Sequence, residues 1–190
     1  APGSDPAHEA LGIQIQSGAL ALSDSTVGGA EQPLQRGLNL CLADLYIAGG
    51  DVTAEAMAVQ ALASRLLMSG RADAPVTLTA GRFGVLMMPG STARLSHAAI
   101  AAATPAVLRG AELRGASVTL GAPAGISAGS GMLLERGARG DLTISRVAGF
   151  RCAVSFADAA SGLRLMLPGN DITTDNTHAA CGPGRLELLE

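Results

Sequence analysis

The hydrophobic pattern of the chain is dominated by a short unit of glycine and aliphatic residues that occurs three times. The stretches 12–18, 84–90 and 131–137 each begin and end with glycine, and each is followed by a leucine four or five residues further on. In the first stretch, Ile13 and Ile15 alternate with glutamines, which is the period of a half-buried β-strand. Three copies of one unit indicate an architecture of stacked repeats.

The tail of the unit, two aliphatic residues separated by one position, recurs more often than its head. The pairs with this spacing are Leu20/Leu22, Leu40/Leu42, Val76/Leu78, Val118/Leu120 and Leu165/Leu167. Their intervals are irregular but centre on about 21 residues, which is shorter than the ~30 residues that a strand with a crossover helix needs. A unit of this length fits one coil of short strands joined at glycine-rich corners.

Stacking such coils places equivalent residues about 4.8 Å apart, so the recurring leucines become columns that fill a central core. The hexapeptide repeat of left-handed β-helices is absent, and crossovers between parallel strands are right-handed in about 98% of cases. The sequence therefore predicts an all-β fold, a right-handed parallel β-helix of roughly six to eight coils. We place it at 11–190, with a polar C-terminal cap, after a flexible leader at 1–10.

One segment, 53–69, departs from the strand pattern. Thr53 is a candidate N-cap, strong helix formers follow it, and Gly70 is a suitable C-terminal stop. Because helix propensity is only a weak guide, a short helical excursion here is an alternative to further coil strands.

The composition of the chain restricts which residues can form the core and which classes of function are plausible. Hydrophobic residues make up 48% of the chain, but aromatic residues are only 2% and tryptophan is absent, so the core must consist of stacked aliphatic side chains. A net charge of −3 and the scarcity of aromatic residues argue against nucleic acid as a partner. No apolar run approaches the ~18 residues that a membrane span requires.

The units at 12–27 and 131–144 resemble the coils of pertactin-like autotransporter passengers, and more broadly those of pectin-lyase-like β-helices. The resemblance implies a right-handed parallel β-helix that is exposed on a bacterial surface and often acts as an adhesin. We therefore expect an extracellular or bacterial cell-surface location. The resemblance carries no catalytic residues over to this chain.

The densest polar cluster of the sequence lies at 170–178. Asp171, Asp175 and His178 are candidates for an acid–base group or a metal site on the last coil. Lyases and epimerases with this fold use carboxylates along one face, but they also need cations to neutralise a sugar carboxylate. Only Arg164 and Arg185 are near in sequence.

A purely structural interpretation of the same cluster is favoured. Asn170 and Asn176 would then satisfy exposed backbone groups of the final coil, as asparagine does in turns. No calcium repeat, phosphate loop or zinc-ligand spacing is present, so we predict neither a cofactor nor a bound metal.

Three further polar residues occupy similar places after core leucines. Asp24, Asp44 and Ser64 each follow a leucine by two positions, and His97 takes the same place in a later coil. Stacked carboxylates repel one another, so we interpret them as solvated turn residues. A histidine without a partner is weak evidence for catalysis.

The chain has three cysteines, an odd number. Cys152 and Cys181 are about one coil apart, so they could form a disulfide between neighbouring coils, or each could be a small buried residue. Cys41 follows Leu40 and is predicted to point outward from its strand.

These observations favour a non-enzymatic surface or structural module that binds a host, glycan or protein partner along its flanks. A polysaccharide lyase or epimerase that uses the 170–178 cluster is the first alternative. A phage or particle spike component that assembles as a homo-oligomer is the second, since small flat faces permit self-association.

Overall fold

The computed structural model describes residues 10–29, 31, 34–123 and 129–189. They form a right-handed parallel β-solenoid of about seven turns, without a helix, so the predicted fold class is confirmed. Nothing in the described part of the chain is a helix long and apolar enough to cross a membrane. The predicted leader lies outside the described residues, except for residue 10.

The chain alternates between two sheets as it winds along the solenoid. The strands are β1 (Leu11–Ile15), β2 (Gly18–Val27), β3 (Arg36–Cys41), β4 (Ala43–Ala54), β5 (Met57–Leu62), β6 (Arg65–Ser69), β7 (Val76–Ala80), β8 (Phe83–Met87), β9 (Thr92–Ala101), β10 (Thr104–Arg109), β11 (Glu112–Gly121), β12 (Ser130–Glu135), β13 (Arg139–Thr143), β14 (Arg146–Ala148), β15 (Cys152–Phe156), β16 (Gly162–Met166), β17 (His178–Cys181) and β18 (Arg185–Leu189).

Each turn adds one strand to both sheets, and we call each such level a rung. The first sheet has the order β1-β3-β5-β8-β10-β12-β15-β17 and therefore defines eight rungs. The second sheet stacks β2-β4-β6-β9-β11-β13-β16-β18 on the same rungs. All pairings are parallel, and β7 and β14 extend the second sheet around a bend.

The bend in the long strands of the second sheet gives the solenoid a third side. It occurs at one position of each rung, where Asp24, His97 and Ser117 adopt positive φ values of 43°, 48° and 55°. At the equivalent position of β4 the chain has Gly49, which reaches a φ of 75° without a side-chain clash. The cross-section is therefore closed by three strand segments around one core.

Columns of mostly aliphatic residues fill that core. Residues paired in register on successive rungs form them: Leu38, Val59, Val85, Ala106, Met132 and Val154; Leu40, Ala61, Met87, Leu108, Leu134 and Phe156; Val27, Val52, Leu78, Ile100, Leu120 and Val147. All of these side chains are buried. Burial of such aliphatic side chains contributes about 1.5–3 kcal/mol each, which explains how the fold needs few aromatic residues.

Leu42 and Leu167, each the second residue of a predicted core pair, are exposed, so the predicted columns are wrong there. Leu42 and Leu62 are 66% and 41% exposed, at the corner between the first and second sheets. The column that contains Leu22 continues through Ile47 and Met68. The spacing of Leu40 and Leu42 misleads because the chain turns at Leu42, where φ is 53°, so the alternation of inward and outward residues starts again.

The helical alternative for 53–69 is wrong. Val59 and Ala61 are fully buried in β5, and Leu66 and Met68 are buried in β6. In a strand, residues two positions apart point to the same side, so all four side chains lie in core columns. In a helix, residues two positions apart point to different sides, and half of the four would leave the core. Tertiary burial therefore overrides the helix propensity of the alanines and leucines.

Candidate functional site

The polar cluster predicted at 170–178 lies mostly in the loop between β16 and β17, and its carboxylates are already engaged. Asp171 and Asp175 both contact Arg146, with N–O distances of 3.7 and 2.9 Å. Asp171 also accepts hydrogen bonds from the backbone N–H of Thr174 and Thr173, at 3.0 and 3.3 Å. These bonds, with that from Thr174 contributing most, lower the pKa of Asp171. A carboxyl group stabilised as its anion is a poor general acid.

His178 does not join the two carboxylates. It begins β17 in the first sheet, opposite Cys152, and its backbone N–H donates to Arg151 O at 2.9 Å. Its imidazole makes no hydrogen bond or ion pair with either aspartate. No group of three or more His, Cys, Asp or Glu side chains in the described ranges is arranged to hold a metal ion.

The two asparagines of the cluster brace neighbouring rungs. Asn170 accepts from Ser145 N–H at 2.9 Å and donates to Leu142 O at 3.1 Å. Asn176 accepts from Phe150 N–H at 3.0 Å, and its amide donates to the carbonyl oxygens of Val147 and Ile172. This is the turn chemistry expected of a structural corner.

Cys152 and Cys181 form a disulfide between β15 and β17, with a Cα–Cα distance of 6.0 Å. Because these strands are neighbours in the first sheet, the bond joins the last two rungs. Cys41 is a free, half-buried cysteine in β3.

The interpretation of Asp24, Asp44 and Ser64 as solvated turn residues at equivalent positions is wrong for Asp44, which is in a strand, and for Ser64, which is buried. Asp24 is at the bend of the second sheet, whereas Asp44 is on its flat part, paired in register with Arg65. Ser64 is buried at a corner, where its hydroxyl accepts from Ala43 N–H at 3.1 Å and donates to Leu62 O at 2.7 Å. His97 shares the bend position of Asp24, and its Nδ1 lies 3.1 Å from Ser96 Oγ.

The second sheet carries a feature that the sequence analysis missed. Before the bend, each rung presents two outward positions, which form two columns along the solenoid axis. One column contains Ala19, Asp44, Arg65, Thr92, Glu112, Arg139, Gly162 and Arg185; the other contains Ala21, Tyr46, Leu67, Arg94, Arg114, Asp141, Arg164 and Glu187. We call this surface the arginine face, because each of its last six rungs contributes one arginine.

The arginines of this face are positioned by the strand alternation itself. In β6, β9, β11, β13 and β16 the residues on either side of each arginine are buried in the core, so the guanidinium group points to solvent. Neighbouring rungs are about 4.8 Å apart. The face therefore holds six exposed arginines on a rigid support, interspersed with four carboxylates, Asp44, Glu112, Asp141 and Glu187.

Several of these arginines have carboxylate partners on the face. Arg65 forms a two-point contact with Asp44, and this hydrogen bonding lowers the pKa of Asp44. Asp141 contacts Arg164 at 2.6 Å and Arg114 at 3.7 Å. Such exposed pairs contribute little to stability, but they fix the directions of the guanidinium groups.

Two arginines lack such partners. Arg94 and Arg139 form no ion pair or hydrogen bond with any residue in the described part of the chain. Arg94 is paired in register with Arg114 on the next rung, and like charges in opposed positions are destabilising. The pairing of Arg94 with Arg114 therefore does not stabilise the fold.

One pocket lies at the N-terminal half of the arginine face. Its volume is about 590 Å³, and its lining includes Tyr46, Leu67, Arg65 and Arg94 beside the small side chains of Ala19 and Ala21. Tyr46, the single tyrosine of the chain, is 41% exposed. An exposed aromatic ring beside cations offers both an apolar platform and polar contacts.

A second pocket, of about 390 Å³, lies further along the same face. Arg139 and Arg185 flank Gly162 in one column, and Arg164 lies beside the gap in the other. Because Gly162 has no side chain, the gap leaves room between the guanidinium groups. Glu187 also lines the pocket and pairs with Arg185 at 2.8 Å, which leaves Arg139 as the guanidinium available to an anionic group there.

A signal for this face was present in the sequence. All 13 residues in the Lys plus Arg count are arginines, and six of them fall at outward positions of the second sheet before its bend. Their irregular sequence spacing concealed the alignment, because rungs differ in length and the inward columns were partly misassigned. Only the pairing register brings them together.

Comparison with known proteins adds no assignment. No protein-family model, curated protein or solved structure matches this chain.

Proposed function

We propose that the protein is a non-enzymatic β-solenoid binding module that engages its partner through the arginine face. The observation that carries the proposal is the presence on one face of two pockets that each contain an arginine without an internal partner, Arg94 and Arg139. Cations left unpaired on a rigid sheet are available to a ligand without breaking internal contacts.

The lyase or epimerase alternative has no comparable support. Asp171 and Asp175 share Arg146 as their partner, and hydrogen bonds stabilise the charged form of Asp171. His178 lies at the start of β17 and makes no hydrogen bond or ion pair with either aspartate. We therefore assign the cluster to the cap of the solenoid.

We further propose that the protein works outside the cytoplasm, at a bacterial surface or in the extracellular space, as a pertactin-like passenger would. The disulfide between Cys152 and Cys181 supports this, because disulfides persist mainly in oxidising compartments. The glycine-cornered rungs support the pertactin-like type.

The proposal can be tested with charge reversal on the full chain. The double variant Arg94→Glu, Arg139→Glu should lose binding to whichever ligand is found in a panel of acidic and neutral glycans and extracellular-matrix proteins, measured by biolayer interferometry. Arg71→Glu with Arg151→Glu, the matched control outside the face, should bind like the unmodified protein. Circular dichroism checks that both variants fold. If the ligand binds both double variants equally, the arginine face is not the binding surface.

A further inference from the structure

The arginine face is continuous across both pockets, and its chemistry restricts the ligand. We infer that it binds a linear acidic polysaccharide laid along the solenoid axis, with Arg94 and Arg139 as anion contacts and Tyr46 as a sugar-stacking contact. This inference rests on the proposed function and specifies its partner.

The ladder of cations points to a polyanion with repeated charges. Six rungs in succession carry an arginine, so the cations extend over about 24 Å at the spacing of stacked strands. Arg94 and Arg114 face each other without a carboxylate between them. An anionic group placed between them would remove that repulsion and gain charge-assisted hydrogen bonds.

Two features of the first pocket favour a carbohydrate over other polyanions. Tyr46 offers a half-exposed ring with a hydroxyl group, and Leu67 beside it is 41% exposed. The floor next to them, Ala19 and Ala21, is low enough for a broad ring to approach. A sugar ring has an apolar face for the tyrosine and hydroxyl groups for the arginines.

Other linear anions fit less well. Single-stranded nucleic acid needs aromatic platforms for successive bases, and the face has one aromatic ring. An acidic peptide would gain most from pairing with an open strand edge, whereas the backbone groups of this face are paired within the sheet. The net charge of −3 also excludes a general attraction of the protein for polyanions.

The second pocket lies at the other end of the proposed binding surface. Arg139 lies two rungs beyond Arg94, which corresponds to about 10 Å, and Arg114 lies on the rung between them. Arg164 and Arg185 complete the pocket around Gly162. A polymer that reaches both pockets would contact more cations than a short oligomer.

The test measures dissociation constants of the full chain for polygalacturonate, dextran sulfate, neutral dextran, polyglutamate and single-stranded DNA. We expect binding to one or both acidic polysaccharides and none to neutral dextran. Arg94→Ala and Arg139→Ala should each weaken binding about tenfold, the effect of losing one charge-assisted contact. Tyr46→Ala should weaken it while Tyr46→Phe retains it, and longer oligosaccharides should bind more tightly until both pockets are spanned.

The control is the double variant Arg71→Ala, Arg151→Ala, which removes the same charge elsewhere and should leave affinity unchanged. Binding of polyglutamate or DNA as tight as that of the polysaccharides, with no effect of Tyr46→Ala, would overturn the inference. If another ligand depends on Arg94 and Arg139 while neither acidic polysaccharide binds, the glycan inference fails and the binding face stands. If no ligand depends on them, both fail.

Discussion

The polar loop between β16 and β17 and the arginine face both carry clustered charges, but the charges are used differently. In the loop, Arg146 lies between Asp171 and Asp175, and the asparagine amides are consumed by backbone groups. On the arginine face, Arg94 and Arg139 have no partner in the described chain. The stretch of the sequence that is densest in polar residues is therefore not the surface where cations are available to a ligand.

The difference follows from where each cluster lies in the solenoid. A loop that closes the last rungs must satisfy the backbone N–H and C=O groups that strands leave unpaired at a corner. On a sheet face the backbone groups are already paired with neighbouring strands, so the outward side chains do not need to hydrogen-bond them. We therefore expect substitutions in the loop to destabilise the fold and substitutions on the arginine face to have little effect on stability.

The largest effect on stability is expected from Asn176→Ala. The change removes the acceptor of Phe150 N–H and the donor to Val147 O, and it leaves these half-buried groups without partners. We expect the free energy of unfolding to fall by about 2 kcal/mol, measured from the urea midpoint at constant slope.

Thr177→Ala is the control for that measurement. Thr177 follows Asn176 directly, and its side chain is exposed and makes no hydrogen bond. A loss for Asn176→Ala no greater than that for Thr177→Ala would contradict the structural role of the loop.

Much of the fold could be predicted from the sequence, because the glycine corners and aliphatic columns repeat along it. Strand register could not be predicted fully. Leu42 and Leu62 have the spacing of core residues, yet they are exposed where the chain turns. The sequence does not mark which residue adopts the positive φ angle, and one shifted residue exchanges the inward and outward sides of a strand.

The same limit explains the partial prediction of the site. Asn170 and Asn176 were recognised as corner residues because their chemistry is local. The arginine face depends on residues that are 20 or more positions apart, such as Arg94 and Arg114, which meet only through the pairing of β9 with β11. Without the correct inward columns, the outward columns could not be aligned.

A smaller, pH-dependent effect is expected from Asp171→Asn. Hydrogen bonds from the Thr174 and Thr173 backbone lower the folded-state pKa of Asp171 below its unfolded value. Its stabilising contribution is therefore complete above the unfolded pKa of about 3.9, and it is lost as pH falls through the folded pKa. The stability difference between the unmodified protein and Asp171→Asn should shrink on acidification through this range.

Urea midpoints at several pH values between neutrality and about pH 2 would measure the effect, with Thr177→Ala as the non-ionisable control. A stability difference that is constant, or that grows as the pH falls, would show that the charged form of Asp171 does not stabilise the loop.

The smallest effect is expected on the arginine face. Arg94→Ala should change the free energy of unfolding by no more than about 0.5 kcal/mol, as is usual for surface substitutions without partners, and relief of the repulsion from Arg114 favours a slight gain. Asp141→Ala is the matched comparison, because it removes the carboxylate that lies between Arg114 and Arg164 and contacts both. It should destabilise the protein more than Arg94→Ala does in the same urea titration. The opposite order would mean that Arg94 supports the fold, and the contrast between the structural loop and the free arginine face would then fail.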